Sequence, residues 1–286
     1  MEKGIEVTLF LVMAATQRKG AITITFGDQV ENGIGMEQIG EMIKEGFTPV
    51  EIEIIAEKAR KKNLEVIHYD MRKLLPKNIR DKADPASILV VRQGVEMFVC
   101  PDKLYEEQIK LKWDEKKLSR GRIVNSLARK NLCYADFSQS PEYEKGKGRV
   151  YDFGELPELS KVRNGLGNLT GKKGKDLLAE GNYYYDLEDG KEGKCGIGWH
   201  GDAERRIVIG LRLGCGFPIE WNWYKQSEPV GKRLHIDLHH GDFYIMSDKT
   251  TGYDWKRKKI YTLRHAAGNK KKYLDANGEA NEYVLF

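Results

Sequence analysis

The sequence predicts an α+β chain, with a mixed α/β unit over residues 1–105 and a C-terminal jelly-roll, or double-stranded β-helix, over 106–286. Helix signals concentrate before residue 115, short strands separated by Gly-rich turns dominate after residue 121, and the basic linker KKLSRGR at 116–122 divides the two. Short strands with few helices suit two sheets closed face to face, because that packing buries one side of every strand.

The elements follow in chain order. A buried strand is expected at 5–13; the residues before its apolar run carry Glu2 and Glu6 against Lys3, so the positive flank of a secretion signal is missing. Further strands are expected at 20–26, 64–68 and 87–99. FGDQVENGIGM at 26–36 is Gly-rich but lacks phosphate-loop spacing, so no nucleotide site is expected there. MEQIGEMIKEG predicts a helix over 36–46. TPVE then opens a second, with Thr48 as N-cap, Pro49 in the first turn and Glu51 completing a capping box, and it runs to near Asn63. A helix at 102–115 leads to strands at 121–126, 148–153, 181–186, 205–213, 217–224, 232–238, 242–246 and 259–264, with one helix near 156–166. In PIEWNWY the alternation sends Ile219, Trp221 and Trp223 to one face, which reads as core.

At 286 residues and 40% hydrophobic content the chain holds one large or two ordinary domains, and a soluble globular protein is expected. No apolar run approaches the ~20 residues that span a bilayer, so no membrane partner is expected. Cys100, Cys133, Cys195 and Cys215 show no metal spacing, and a reducing compartment, cytoplasmic or nuclear, fits them best. The net charge of +5 is clustered at 116–122, 128–130, 171–175, 254–259 and 269–272. Such runs suit phosphate backbones and ordinary solvated faces alike.

Residues 180–206, EGNYYYDLEDGKEGKCGIGWHGDAERR, place His200 and Asp202 between an aromatic strand and an apolar one. Positions i and i+2 of a strand share a face, and a distant His would complete the 2-His-1-carboxylate triad of non-haem Fe(II) oxygenases. The spacing recurs as His235 and Asp237 in RLHIDLHH, where alternation with Leu234, Ile236 and Leu238 reads as the polar face of a half-buried strand.

The flanks of the first pair resemble the AlkB family of Fe(II)/2-oxoglutarate dioxygenases over most of residues 120–272. Asn182 and Tyr184 form an N-x-Y element like the one that binds 2-oxoglutarate in that family, and HGDAE places Glu204 where the duplex-DNA members face the target base. IVIGLRLG at 207–214, HHGDFYIMS at 239–247 and IYTLRHAAG at 260–268 resemble the core strands that follow. The resemblance implies Fe(II), 2-oxoglutarate and O₂. It also implies a nucleic-acid partner, DNA in particular, and oxidation of N-alkylated or methylated bases by demethylation or hydroxylation. A duplex target would have to be flipped out of the stack.

Arg264 would pair with a 2-oxoglutarate carboxylate, and Arg129, Lys130 and Tyr134 resemble the nucleotide-recognition lid. The pattern departs in one place, because the interval 247–263, where the family carries its distal His, has none. His265 is therefore expected as the third ligand, with the salt bridge at Arg264 or passing to Lys270, Lys271 or Lys272. Strand neighbours face opposite ways, so Arg264 and His265 share the site only across a bulge. Two alternatives stand beside this expectation: a 2-oxoglutarate-dependent hydroxylase of a protein side chain or small metabolite, and a nucleic-acid-binding module with a broken triad.

Overall fold

The computed structural model describes residues 20–33, 35–185, 187, 195–268 and 283–286. It is a mixed α/β structure in which strands dominate, gathered mainly into two large sheets. The larger sheet has eight strands in the spatial order β4 (Val66–Asp70), β5 (Ser87–Val91), β15 (Phe243–Met246), β12 (Val208–Gly214), β1 (Ala21–Gly27), β10 (Leu178–Tyr184), β8 (Lys130–Ala135) and β9 (Val150–Asp152). The smaller runs β11 (Gly196–His200), β16 (Thr262–Gly268), β13 (Phe217–Lys225), β14 (Glu228–Leu238) and β17 (Tyr283–Leu285). Pairing is antiparallel except for β8 with β9 and β14 with β17. Two hairpins stand apart: β2 (Gln29–Glu31) with β3 (Gln38–Gly40), and β6 (Lys116–Ser119) with β7 (Arg122–Asn125).

Period-2 patterning assigns the faces of the larger sheet. Ile22, Ile24 and Phe26 of β1, with Ile209, Leu211 and Leu213 of β12, face the helices Pro49–Arg60, Pro101–Ile109 and Pro157–Thr170 in one apolar cluster. On the opposite face Val208, Tyr244 and Met246 meet Trp221, Trp223, Leu234 and Ile236 of the smaller sheet. Trp221 and Trp223 are fully buried there, as the alternation predicts. The capping box at Thr48 also forms: Thr48 Oγ1 accepts from Glu51 N–H at 3.2 Å, and Glu51 Oε2 accepts from Thr48 N–H at 2.7 Å.

Three expectations are corrected. Residues 1–105 do not sit apart among the described residues, because β1 lies between β12 and β10 at the middle of the larger sheet and β5 pairs with β15. ITITF alternates cleanly, which sends Ile22, Ile24 and Phe26 to one apolar face and Thr23 and Thr25 to the cavity, while later strands pair both of its edges. The helix expected over 36–46 is replaced by β3 and irregular chain. Ile39 packs beside Val30 and Cys133, Ile43 N–H donates to Asp28 Oδ2 at 2.9 Å, and Gly40 takes φ +91°, which a helix interior forbids. The strand expected over 87–99 ends at Val91 and gives way to a 3₁₀ turn at Gly94–Met97. The strand expected at 5–13 lies outside the described residues. No helix among the described residues is long and apolar enough to cross a membrane.

Candidate functional site

A cavity of about 910 Å³ opens between the two sheets and borders the tryptophan core through Val208, Ile219, Tyr244 and Met246. Thr23, Asn182 and Arg212 line it from the larger sheet, Ile219, His265 and Ala267 from the smaller, and Gln29, Glu31 and Gln38 from the β2–β3 hairpin.

His200 closes β11 and stands directly across from His265 on β16, past an irregularity in the register between Ile197 and His200. Asp202 lies beyond the strand end, so strand periodicity is not what aims it. Its N–H donates to Thr251 O at 3.0 Å, which docks the turn on the short helix Asp248–Thr251. Gly201 makes the approach feasible, since a Cβ there would lie 2.2 Å from Gly252 O. Asp202 Oδ1 is 3.6 Å from His200 Nε2 and 3.5 Å from His265 Nε2, and one ligand atom from each residue falls within 4.8 Å of the others. Adjacent ligand atoms on a first-row metal stand roughly 3 Å apart, given bonds of about 2.1 Å. The His200 Nδ1 contact to Gly198 O, 2.8 Å, holds the ring with Nε2 turned to the cluster.

The charge state suits cation binding. Burial, then the neighbouring His265, pushes His200 down to about 3, leaving it neutral and able to donate a lone pair at ordinary pH. Burial alone would raise Asp202, but Arg205 and the two imidazoles hold its carboxyl well below the usual range. Arg205 is buried at the centre of three carboxylates, at 2.7 Å from Glu180, 3.1 Å from Glu204 and 3.5 Å from Asp202. Burial pushes Glu204 up to about 7 against the pull of Arg205.

The other expected residues divide. Asn182, Tyr184, Glu204 and Arg129 line the cavity. Asn182 Oδ1 accepts from Arg129 Nε at 2.5 Å and from Asn131 Nδ2 at 2.7 Å, and the Tyr184 ring packs on Phe217 at 4.3 Å between centroids. Arg264 does not face the site: with His265 turned inward, its neighbour points out and stacks on Tyr224, 4.0 Å from the ring centroid, and Trp255. Tyr134 is corrected as well. It is a fully buried residue of β8, on the helix side of the sheet, where its hydroxyl bonds Gln108 Oε1 at 2.6 Å. Lys270, Lys271 and Lys272 lie outside the described residues.

Sequence reasoning missed Arg205, Glu180, Thr23 and Arg212. For Arg212 a signal existed: in VIGLRLG it is the lone charge on the face shared with Val208 and Gly210, in a strand otherwise apolar throughout. Arg205 follows the motif directly but has no spacing that marks it.

The second His-x-Asp pair has a structural account. His235 is buried on β14, with Nδ1 2.7 Å from Glu220 Oε1 and Nε2 3.1 Å from Asp237 Oδ1, and Arg233 Nη1 lies 3.4 Å from Glu220. The Glu220 hydrogen bond, with help from Asp237, raises the His235 pKa. A raised folded-state pKa stabilises fully below the unfolded value near 6.5, and the contribution is lost as pH rises through the folded value. Urea denaturation at pH 6 and pH 8.5 should therefore show wild type losing stability relative to His235→Asn, and parallel pH profiles would refute the linkage.

The chain matches no family model. "Uncharacterized protein R156" of Acanthamoeba polyphaga mimivirus is 44% identical to it over 253 residues, spanning 88% of this chain and 97% of the relative.

Proposed function

The chain belongs to the family of that mimivirus protein, and we propose that it is an Fe(II)- and 2-oxoglutarate-dependent dioxygenase of nucleic acid, oxidising N-alkylated or methylated bases. One observation carries the proposal: two imidazoles and one carboxylate converge at a cavity roomy enough for a cosubstrate and a base. This donor set fits iron, since three ligand atoms on one side leave the remaining positions free. It also favours a catalytic site over a binding module with a broken triad.

The order of strands supports the jelly-roll. β10, β11, β12 and β13 alternate between the larger and smaller sheets, as do β14, β15 and β16, which is the path of a ribbon wound through both. In this reading β1 fills the central place between β12 and β10 that no later strand takes up.

Iron with 2-oxoglutarate would supply O₂ activation and hydroxylation of a C–H bond, which on an N-methyl group releases formaldehyde. The protein's part is holding and shielding. His200 and His265 present lone pairs, Arg205 keeps Asp202 ionised, and Asn182 and Tyr184 face the cosubstrate's place. Glu204 faces the cavity above the triad, positioned to meet a base entering it. Trp255 lines the cavity, where a flipped base could stack. Lys117, Arg129 and Lys256 also line it, and the exposed run Arg257, Lys258, Lys259 continues from Lys256 as a track for phosphates.

The test is formaldehyde release from N-methylated oligonucleotides by the Fe(II)-loaded protein with 2-oxoglutarate. Release is expected, with oligonucleotide affinity falling steeply from 50 to 200 mM salt. Turnover of 2-oxoglutarate that no oligonucleotide stimulates, together with salt-insensitive binding, would contradict the nucleic-acid assignment and favour a protein or metabolite target.

A further inference from the structure

We propose that Arg212 and Thr23 form the anion subsite of the cavity and take the distal carboxylate of a small dicarboxylate cosubstrate. The identity of that cosubstrate rests on the function proposed above; the subsite itself rests on the side chains.

Arg212 is 1% exposed and lines the cavity, yet its Nε and Nη1 have no hydrogen-bond partner among the described residues. Its guanidinium lies over the Tyr184 and Phe217 rings, 5.8 and 5.2 Å from their centroids, contacts that hold the group while Nε and Nη1 stay without partners. Burial pushes its pKa down, as expected of a cation without a counterion. The nearby carboxylates are engaged. Asp242 accepts from Arg92 at 2.6 Å, His239 N–H at 2.8 Å and Gln93 N–H at 3.2 Å, while Glu180 is held by Arg205 and Asn182. A buried, unpaired guanidinium is strongly destabilising, and a bidentate carboxylate matches its free donors.

Thr23 is the second, independent observation. It is the cross-strand partner of Arg212 on one side and of Asn182 on the other, so Asn182, Thr23 and Arg212 stand abreast on β10, β1 and β12. Its Oγ1 is buried, lines the same cavity and also lacks a partner. Strands about 4.8 Å apart make this a polar row roughly 10 Å wide, on the scale of a five-carbon diacid. The subsite thus needs the N-terminal strand, which the AlkB resemblance does not reach.

The experiment compares 2-oxoglutarate with pyruvate, the same keto-acid head without the distal carboxylate, by calorimetry on protein loaded with redox-inert Ni(II). Wild type should prefer 2-oxoglutarate by at least about 30-fold, the scale of a charge-assisted bidentate contact. Arg212→Gln should erase the preference while Ni(II) affinity stays unchanged, and Thr23→Val should reduce it several-fold. Because the guanidinium is unpaired, apo Arg212→Gln should melt no lower than wild type, which separates loss of the subsite from loss of fold. A preference that survives in Arg212→Gln would overturn the assignment. Should wild type bind neither keto acid, glutarate added to the apoprotein decides. Arg212-dependent binding would sustain the subsite while the dioxygenase reading fell, and no Arg212-dependent binding would overturn it.

Discussion

Alanine at His265 will abolish iron-dependent oxidation of 2-oxoglutarate and weaken divalent metal binding by more than about 100-fold, a lower bound set by what loss of an outer-shell partner alone can do. The expectation comes from the ligand count. His200 and Asp202 would remain, but two ligands on one turn cannot hold a labile divalent ion against water as three converging ones do. The cross-strand pairing of His200 with His265 makes the position replaceable without unfolding, since the backbone ladder between β11 and β16 is untouched. Asp202→Ala should behave alike, whereas His235→Ala should leave metal affinity within about twofold, because His235 lies on the far face of the smaller sheet with Glu220. Equal metal affinity in wild type and His265→Ala would remove His265 from the site.

Replacing Arg205 by methionine will destabilise the metal-free protein by about 3–5 kcal/mol, the usual consequence of stripping one partner from a buried ionic cluster. For a chain of this size that corresponds to a melting temperature lower by roughly 10 °C. Glu180, Asp202 and Glu204 all turn to this one guanidinium, and methionine is of similar length but leaves three carboxylates, two of them buried, without a countercharge. The carboxylates will respond by binding protons, so the deficit should shrink toward pH 5 and grow toward pH 8. Chelator-treated wild type and variant compared by urea denaturation at both pH values provide the measurement. A difference below 1 kcal/mol at pH 8 would mean that the cluster is solvated enough to do without its cation.

The parts of the fold that were legible share a local cause. The capping box at Thr48 and the alternating ITITF and PIEWNWY strands are determined by neighbours a few residues away, and their ends agree to within a few positions. What was not legible depends on distant pairing. Nothing within residues 1–105 reveals that β1 slots between two strands nearly 160 and 190 residues further on, as in the pairs Thr23 with Asn182 and Thr23 with Arg212. Methionine, isoleucine and glutamate over 36–46 mimic helical spacing, and only the contact of Ile39 with β8 and the backbone at Gly40 decide against it.

At the site, the same alternation that aims His265 inward sends Arg264 out to Tyr224. A linear motif could name both, and a strand can present only one. Tyr134 shows the reverse error: an aromatic beside basic residues suggested stacking on a base, but its place on β8 gives it to the core.

The central claim is that the His200, Asp202 and His265 cluster works with iron on 2-oxoglutarate. Succinate formation by protein loaded anaerobically with Fe(II) and then exposed to O₂ tests it most directly. The account predicts succinate in step with O₂ consumption, abolished by chelation. A folded, iron-loaded protein that yields no succinate, alone or with methylated oligonucleotides, would contradict it.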